Sequence, residues 1–364
     1  MLTTDAGLIL AMTRKPTIRD VAKLAKVSMG TVSRVCANSA PVKADTRQRV
    51  QTAMQQLGYV PNIAARTMRT QRTMMVGLLV PSFSNPLFSK VAKAAVQALS
   101  PAGYSLFLHS SERDAASEIS FFGLAAQHQM DGVIVSLSDE TNEQVATALT
   151  RYGGPVVILD RDIDVDRDVV FSEHADAMRR ATKHLIALGH TRIALIAAPK
   201  TIRPGRERLR AFDETMRAAN IEVPSELIRC AYQSSQYGYN QTHELMSSRA
   251  PPTAIIAAGN DLMHGVLKAV RTLGLAVPQD LSIIGADYPE LAEIMTPPVT
   301  IIYRDMDQVG ETAARLLLTR MTSRDSAIPT SRLHLPSDIL LRESTGAPRG
   351  ALGTTKEDDD ELAL

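Results

Sequence analysis

Apolar positions fall into two different rhythms along the chain. Near the start, Ile18, Val21, Ala22 and Ala25 recur at helical spacing, and Val32 and Val35 begin a second stripe after a break at Lys26-Val27-Ser28. Thr17 and Ser28 stand just ahead of the two stripes, where N-caps belong. Two short helices joined by a tight turn predict a helix-turn-helix, whose second helix fits a major groove. From about residue 74 the rhythm changes. MMVGLLV, YSLFLH, DGVIVSL, GPVVILD, RIALIAA, TAIIAAG, LSIIGAD and VTIIY read as buried strands. FSKVAKAAVQALS, ADAMRRATKHLIALG and DLMHGVLKAVRTLG read as helices between them. Such alternation predicts α/β architecture, with parallel sheets covered on both faces. The eight strands fit one large sheet or two smaller ones.

Charge sharpens the first block. Residues 15–72 hold eleven basic side chains and two acidic ones, Asp20 and Asp45, a local charge of +9. The whole chain carries +1, so the remainder carries −8. A basic module on a mildly acidic body is the electrostatic footprint of phosphate binding. At 364 residues the chain exceeds one small domain, and its 45% hydrophobic content is that of a soluble globular protein. Cys36 and Cys230 are the only cysteines, too few for a disulfide framework or a zinc ligand set, and they fit a reducing cytoplasm. No apolar run approaches the ~20 residues of a membrane span. The opening MLTTDAGLILAM lacks the basic flank of a secretory signal, and Met1 and Met12 both remain open as starts. The expected organisation is an extension at 1–14, the helix-turn-helix domain at 15–60, a linker segment at 61–73, the α/β body at 74–346 and a disordered acidic tail at 347–364.

Polar residues gather just past the strand ends, where open α/β sheets bind ligands. Pro81-Ser82-Phe83-Ser84-Asn85 follows the first run, Ser136 the third, Asp160-Arg161-Asp162 the fourth and Lys200 to Arg208 the fifth. Asn260-Asp261 closes the sixth and Asp287 the seventh. Asn260 or Asp261 alone equally fits the cap of a helix beginning at Leu262. Catalytic signatures are missing: no G-x-G-x-x-G after a strand, no phosphate-cradling G-x-x-x-x-G-K-[ST], no H-E-x-x-H and no G-x-S-x-G. Neither an enzyme nor a cofactor or metal site is expected.

The long separated segments TIRDVAKLAKVS, TVSRV, TRQRV, LGYVPN, AARTMR, LLVPSFSNPLF, HLIALGHTRIALI, GNDLMHGVLKAVRTLGLAVPQDLSIIGAD and LLRESTG stand in the order of the lactose-repressor/galactose-repressor family, which the chain resembles over about residues 16–346. The resemblance implies an all-α DNA reader followed by a hinge helix and linker at 61–73, the hinge folding into its helix on operator. It further implies a two-subdomain body like a periplasmic binding protein, an effector in its cleft and a homodimer. Ser28 to Arg34 match the recognition helix, with Met29, Gly30 and Arg34 toward bases; Arg can fork onto guanine O6 and N7. Thr17, Thr31, Ser33, Thr46 and Tyr59 match phosphate-positioning residues. Asn62 caps the hinge helix, and Met68 stands where the family places a minor-groove leucine wedge. In the body, Phe83, Phe88, Ser136, Arg161, Arg208, Asn260 and Asp287 match cleft positions. Their chemistry suits a sugar or sugar acid, and two arginines hint at an anion. The chain departs from the family at Lys26 (a turn glycine), at Ala37 (an asparagine) and at Glu173-His174 (Asp-Asn).

The reading is a cytoplasmic homodimeric regulator, a repressor of genes behind an approximately palindromic operator, controlled by a sugar-like effector. The rivals are a solute-binding protein, which has no use for residues 17–69, and a sugar-active α/β enzyme, for which the phosphate and dinucleotide loops are missing.

Overall fold

The computed structural model describes residues 16–37, 42–60, 72–323 and 329–349. It divides into two units, Met1–Thr73 and Met74–Leu364. The hinge helix, Asn62 and Met68 lie outside the described residues, as do the N-terminal extension and most of the acidic tail.

Among the described residues the first unit holds three helices: α1 (Ile18–Ala25), α2 (Met29–Ala37) and α3 (Ala44–Leu57). The stripes read from the sequence make its core, in which Val21, Ala22 and Ala25 meet Val32, Val35, Val50 and Ala53. Both expected caps have partners. The Asp20 carboxylate accepts from Thr17 N at 2.8 Å and Thr17 Oγ1 at 2.7 Å, and Ser28 Oγ accepts from Thr31 N at 3.1 Å. Each such cap stabilises a helix end by about 1 kcal/mol. The turn needs a left-handed residue, and Lys26 takes that place at φ 53°, its N–H closing on Ala22 O and Lys23 O. A side chain in that conformation is strained where glycine is not.

The second unit contains two six-stranded sheets. The first is built from β1 (Met75–Val80), β2 (Ser105–Ser110), β3 (Gly132–Val135), β4 (Val156–Leu159), β5 (Asp168–Ser172) and β11 (Arg332–Leu335), in the order β11-β5-β4-β3-β1-β2 and parallel throughout. The second comprises β6 (Ile193–Ala197), β7 (Ile228–Arg229), β8 (Ala254–Ala258), β9 (Ser282–Ala286), β10 (Thr300–Arg304) and β12 (Ser337–Leu340), in the order β12-β10-β9-β8-β6-β7, with only the β10–β12 pair antiparallel. Two sheets, rather than one, settle the alternative that periodicity left open.

Nine helices cover the sheets among the described residues: α4 (Pro86–Leu99), α5 (Ala115–Gln127), α6 (Glu143–Arg151), α7 (His174–Ala187), α8 (Arg203–Ala218), α9 (Ser235–Met246), α10 (Asn260–Leu273), α11 (Pro289–Ile294) and α12 (Met306–Thr322). The chain passes between the two lobes three times. It leaves the first through Glu173, between β5 and α7. It returns through Asp305, between β10 and α12, whose Met306, Val309 and Leu317 join the first lobe's core. It crosses again through Pro336, between β11 and β12. Three close-set connections allow the lobes to hinge while each core stays intact.

Four strands were not legible as apolar runs. β5 opens on Asp168, whose buried carboxylate takes two bonds from Arg320, at 2.5 and 2.7 Å. β7 has two residues, and β11 and β12 interleave polar positions at sheet edges.

Candidate nucleic-acid interface and ligand cleft

On α2 the residues expected to read DNA share the solvent face. Ser28, Met29, Gly30 and Arg34 are exposed, with Thr31 and Ser33 half-buried, while Val32 and Val35 turn into the core. Met29 retains 47% exposure, so its apolar side chain is accessible to a groove. Arg34 Nε donates to Gly30 O at 3.2 Å, which lays the guanidinium along the helix with the rest of its fork free to donate. A Cβ at Gly30 would meet only Ser28 Oγ, at 3.7 Å, so packing does not dictate glycine there. Thr46 lies in the first turn of α3, and Tyr59, just past its end, packs on the helical core.

In the body the two lobes meet around Arg304, the last residue of β10. Its Nε donates to Asp287 Oδ1 at 2.7 Å, and its Nη1 donates to Asp160 Oδ2 at 2.6 Å and Ser172 Oγ at 3.2 Å. Asp160 ends β4 in the first lobe and Asp287 ends β9 in the second, so one guanidinium ties both. Both aspartates have left-handed backbones, φ 52° and 71°, which turn the chain sharply at the strand ends. Arg208 of α8 completes the network, with Nη2 at 3.1 and 2.8 Å from the Asp287 oxygens and Nη1 on Ala258 O at 2.8 Å. The start of α8 sits tightly against the end of β6: a Cβ on Gly205 would come within 2.1 Å of Pro199 O.

Burial alone would raise the Asp287 carboxyl, but Arg208 and Arg304 outweigh it and hold the group well below the usual carboxylate range. Asp160 is held low as well: burial opposes ionisation, while His174, Arg304 and the Ser172 N–H overcome it. His174 Nε2 lies 3.3 Å from Asp160 Oδ1 but out of hydrogen-bonding line. Burial pushes the imidazole down to about 4, against the opposing pull of Asp160, so at neutral pH this contact is not a formal ion pair. Toward the rim, Glu140 pairs with Arg206, Lys90 with Glu290, and Arg113 with Asp261 at 3.9 Å, each pair joining the two lobes.

These groups enclose a cavity of about 70 Å³. Ligand pockets usually offer roughly 300–1,000 Å³. The cleft is therefore filled by its own side chains, and a sugar-sized molecule requires the lobes to part.

Of the sequence-predicted cleft residues, Phe88, Ser136, Arg161, Arg208 and Asp287 line this one cavity. Phe83 does not, and is 47% exposed beside it in sequence. Asn260 is buried at the head of α10, off the lining, with Nδ2 on Asp261 Oδ1 at 3.2 Å and an unpartnered Oδ1. Since that helix begins at Asn260 after Gly259, neither Asn260 nor Asp261 holds the cap position, and the capping alternative is set aside. Sequence reasoning missed Arg304 and His174. The signal for Arg304 was present: VTIIY ends on Arg-Asp, another polar strand end. His174 was visible only as an unexplained departure at Glu173-His174.

Comparison with known proteins agrees with this fold. Residues 17–62 match the model of bacterial regulatory proteins of the lacI family, and residues 182–345 match a periplasmic binding protein-like domain. The HTH-type transcriptional regulator DegA of Bacillus subtilis (strain 168) is 31% identical over 335 residues, covering 91% of this chain and 98% of its own. A solved transcriptional regulator CelR–cellobiose complex is 31% identical, with TM-score 0.69, covering 90% of this chain and 99% of that one. A lac repressor dimer bound to operator and the anti-inducer ONPF is 27% identical, with TM-score 0.79, covering 92% and 100%.

Proposed function

The chain belongs to the lacI family of bacterial regulatory proteins, and from that premise we propose that it represses transcription by binding an approximately palindromic operator as a homodimer, under control of a sugar or sugar acid in the cleft. The observation that carries the DNA half is the row Ser28, Met29, Gly30 and Arg34, exposed on the helix after the Lys26 turn while the opposite face is core. The cellobiose and operator complexes of the two relatives support the reading of both partners. The relatives are transcriptional regulators, and no helix among the described residues is long and apolar enough to cross a membrane.

The mechanism follows from the closed cleft. A ligand that binds between the lobes competes with Arg304 for Asp160 and Asp287, or reinforces that link, and so biases the angle between lobes. Transmitted to residues 61–73, such a bias couples the two sites, a coupling typically worth about 1–3 kcal/mol. Phe88 offers an apolar face for a sugar ring, and Asp287 and Arg208 bind hydroxyls. Selection from random DNA tests the DNA half. An inverted repeat bound by two chains is expected; recovery of a lone half-site with one chain per duplex would reject the dimeric reader.

A further inference from the structure

The cavity is lined by four arginines, Arg113, Arg161, Arg208 and Arg304, and by two carboxylates, Asp160 and Asp287. The two carboxylates are already engaged. Asp287 accepts from Arg208 and Arg304, and Asp160 from Arg304 and Ser172. Arg113 reaches Asp261, 3.9 Å away, at the rim. That leaves Arg161. It is only 6% exposed, and its guanidinium donates to main-chain carbonyls alone, Leu137 O through Nε and Asp160 O through Nη1 at 2.9 Å. Among the described residues no carboxylate oxygen lies within 4.0 Å of it.

A buried guanidinium without an anion is costly to keep. Burial presses the group toward its neutral form. Glu140, Asp160 and Glu118 act against that from a distance, and Arg304 acts with it. Glu140 is itself paired with Arg206, and Glu118 takes the Ser138 amide at 2.8 Å. Beside Arg161's anchor at Leu137, Ser136 lines the same cavity. It is 2% exposed and makes no side-chain hydrogen bond among the described residues. A cation with no carboxylate partner and an idle hydroxyl thus face one cavity whose other charges are ion-paired, although Arg208 Nε itself lacks a hydrogen-bond acceptor.

We propose that the cleft ligand is a small anionic polyol, carrying a carboxylate or a phosphate whose oxyanion seats on Arg161 with Ser136 as a second donor. This rests on the cleft reading given above and narrows it. A neutral hydroxyl leaves the charge of Arg161 uncompensated, whereas a carboxylate or phosphate oxygen pair matches the planar fork. The hydroxyl-bearing end then lies toward Phe88 and the Asp287–Arg208 pair.

Calorimetric titration of the full-length protein tests this with matched probes: glucose and galactose, their uronic and aldonic acids, and their 6-phosphates. At least one anion is expected to bind about tenfold or more tightly than its neutral parent. Whether the acids or the phosphates bind identifies the oxyanion. Arg161→Met should weaken that anion at least about tenfold more than it weakens the neutral parent, and Arg161→Lys should restore part of the preference. The proposal is overturned if a neutral parent binds as tightly as its anions, if Arg161→Met and Arg161→Lys weaken both forms equally, or if no anion binds at millimolar concentration. Asp287→Ala separates the two levels. Should it abolish binding of every form while the anion preference is absent, the cleft reading stands and the charge assignment falls. Should it leave binding of a bound probe intact, the cleft reading itself falls.

Discussion

The two sites of this chain are prepared in opposite ways. On α2 the side chains proposed to meet DNA are exposed and sparsely bonded: Met29 is 47% exposed, and Arg34 has one bond to its own helix. In the cleft, Asp160, Asp287, Arg208 and Arg304 are buried and satisfy one another before any ligand arrives. An exposed reader can be altered with little effect on folding, because water replaces what is lost. A buried network cannot, because removing one member strands the charges of the others. The difference teaches where to look for function without stability and where the two are joined.

The largest expected effect breaks the comparison at its buried end. Asp287→Ala leaves Arg208 and Arg304 without their shared carboxylate, and should lower the unfolding free energy of the body by about 3–5 kcal/mol in urea denaturation. Arg34→Ala should change it by no more than about 0.5 kcal/mol. Comparable losses from both would erase the distinction.

Next in size is the exposed end. Arg34→Ala should weaken specific operator binding by about 1–3 kcal/mol and relax preference at one base pair, with a much smaller change on non-specific DNA. Equal losses on both would make Arg34 a phosphate contact.

A smaller effect is expected from pH. His174 titrates near 6.5 in the unfolded chain and at about 4 when folded, so the native state holds it neutral where the unfolded state is charged. Its contribution is complete above about pH 6.5 and disappears as pH falls toward 4. His184 and His190, pushed down by burial, add with the same sign. The Asp160 and Asp287 contributions, with folded values below the unfolded ~3.9, are lost only in more acid solution. Denaturation midpoints between pH 7.5 and 5 should therefore fall less steeply in His174→Gln than in the wild type, whereas an unchanged slope would remove His174 from the network.

The smallest effect returns to the helix-turn-helix. Lys26→Gly should relieve the left-handed turn and raise stability by about 0.5–1 kcal/mol, with a slight loss of non-specific DNA affinity from the missing charge.

How much of this was legible in the sequence follows from the same contrast. The helix-turn-helix was readable because local rules fix it: a helical stripe, two capping residues and a basic excess all coincide within one short segment. Seven strands of the body were readable because a strand buried on both faces is a continuous apolar run, and the edge strand β2 was readable from its short apolar run although it is largely exposed. β5, β11 and β12 were not, since they carry polar residues that only their tertiary partners explain, Arg320 for Asp168 being the clearest. In the cleft, Arg208 and Asp287 were named from the family likeness, but their mutual pairing was not, because residues 79 positions apart reveal no contact in one sequence. Arg304 was hidden for that reason too. Its role appears only when the ends of β4, β9 and β10 converge.

The proposed regulation requires the cleft and the DNA reader to be coupled. The direct measurement is the affinity of the full-length protein for its selected operator, by fluorescence anisotropy, with and without a saturating cleft ligand. The same titration is run on Asp287→Ala. The account predicts a change of about 5- to 150-fold in the wild type and none in the variant. An operator affinity that the ligand leaves untouched in the wild type would contradict it.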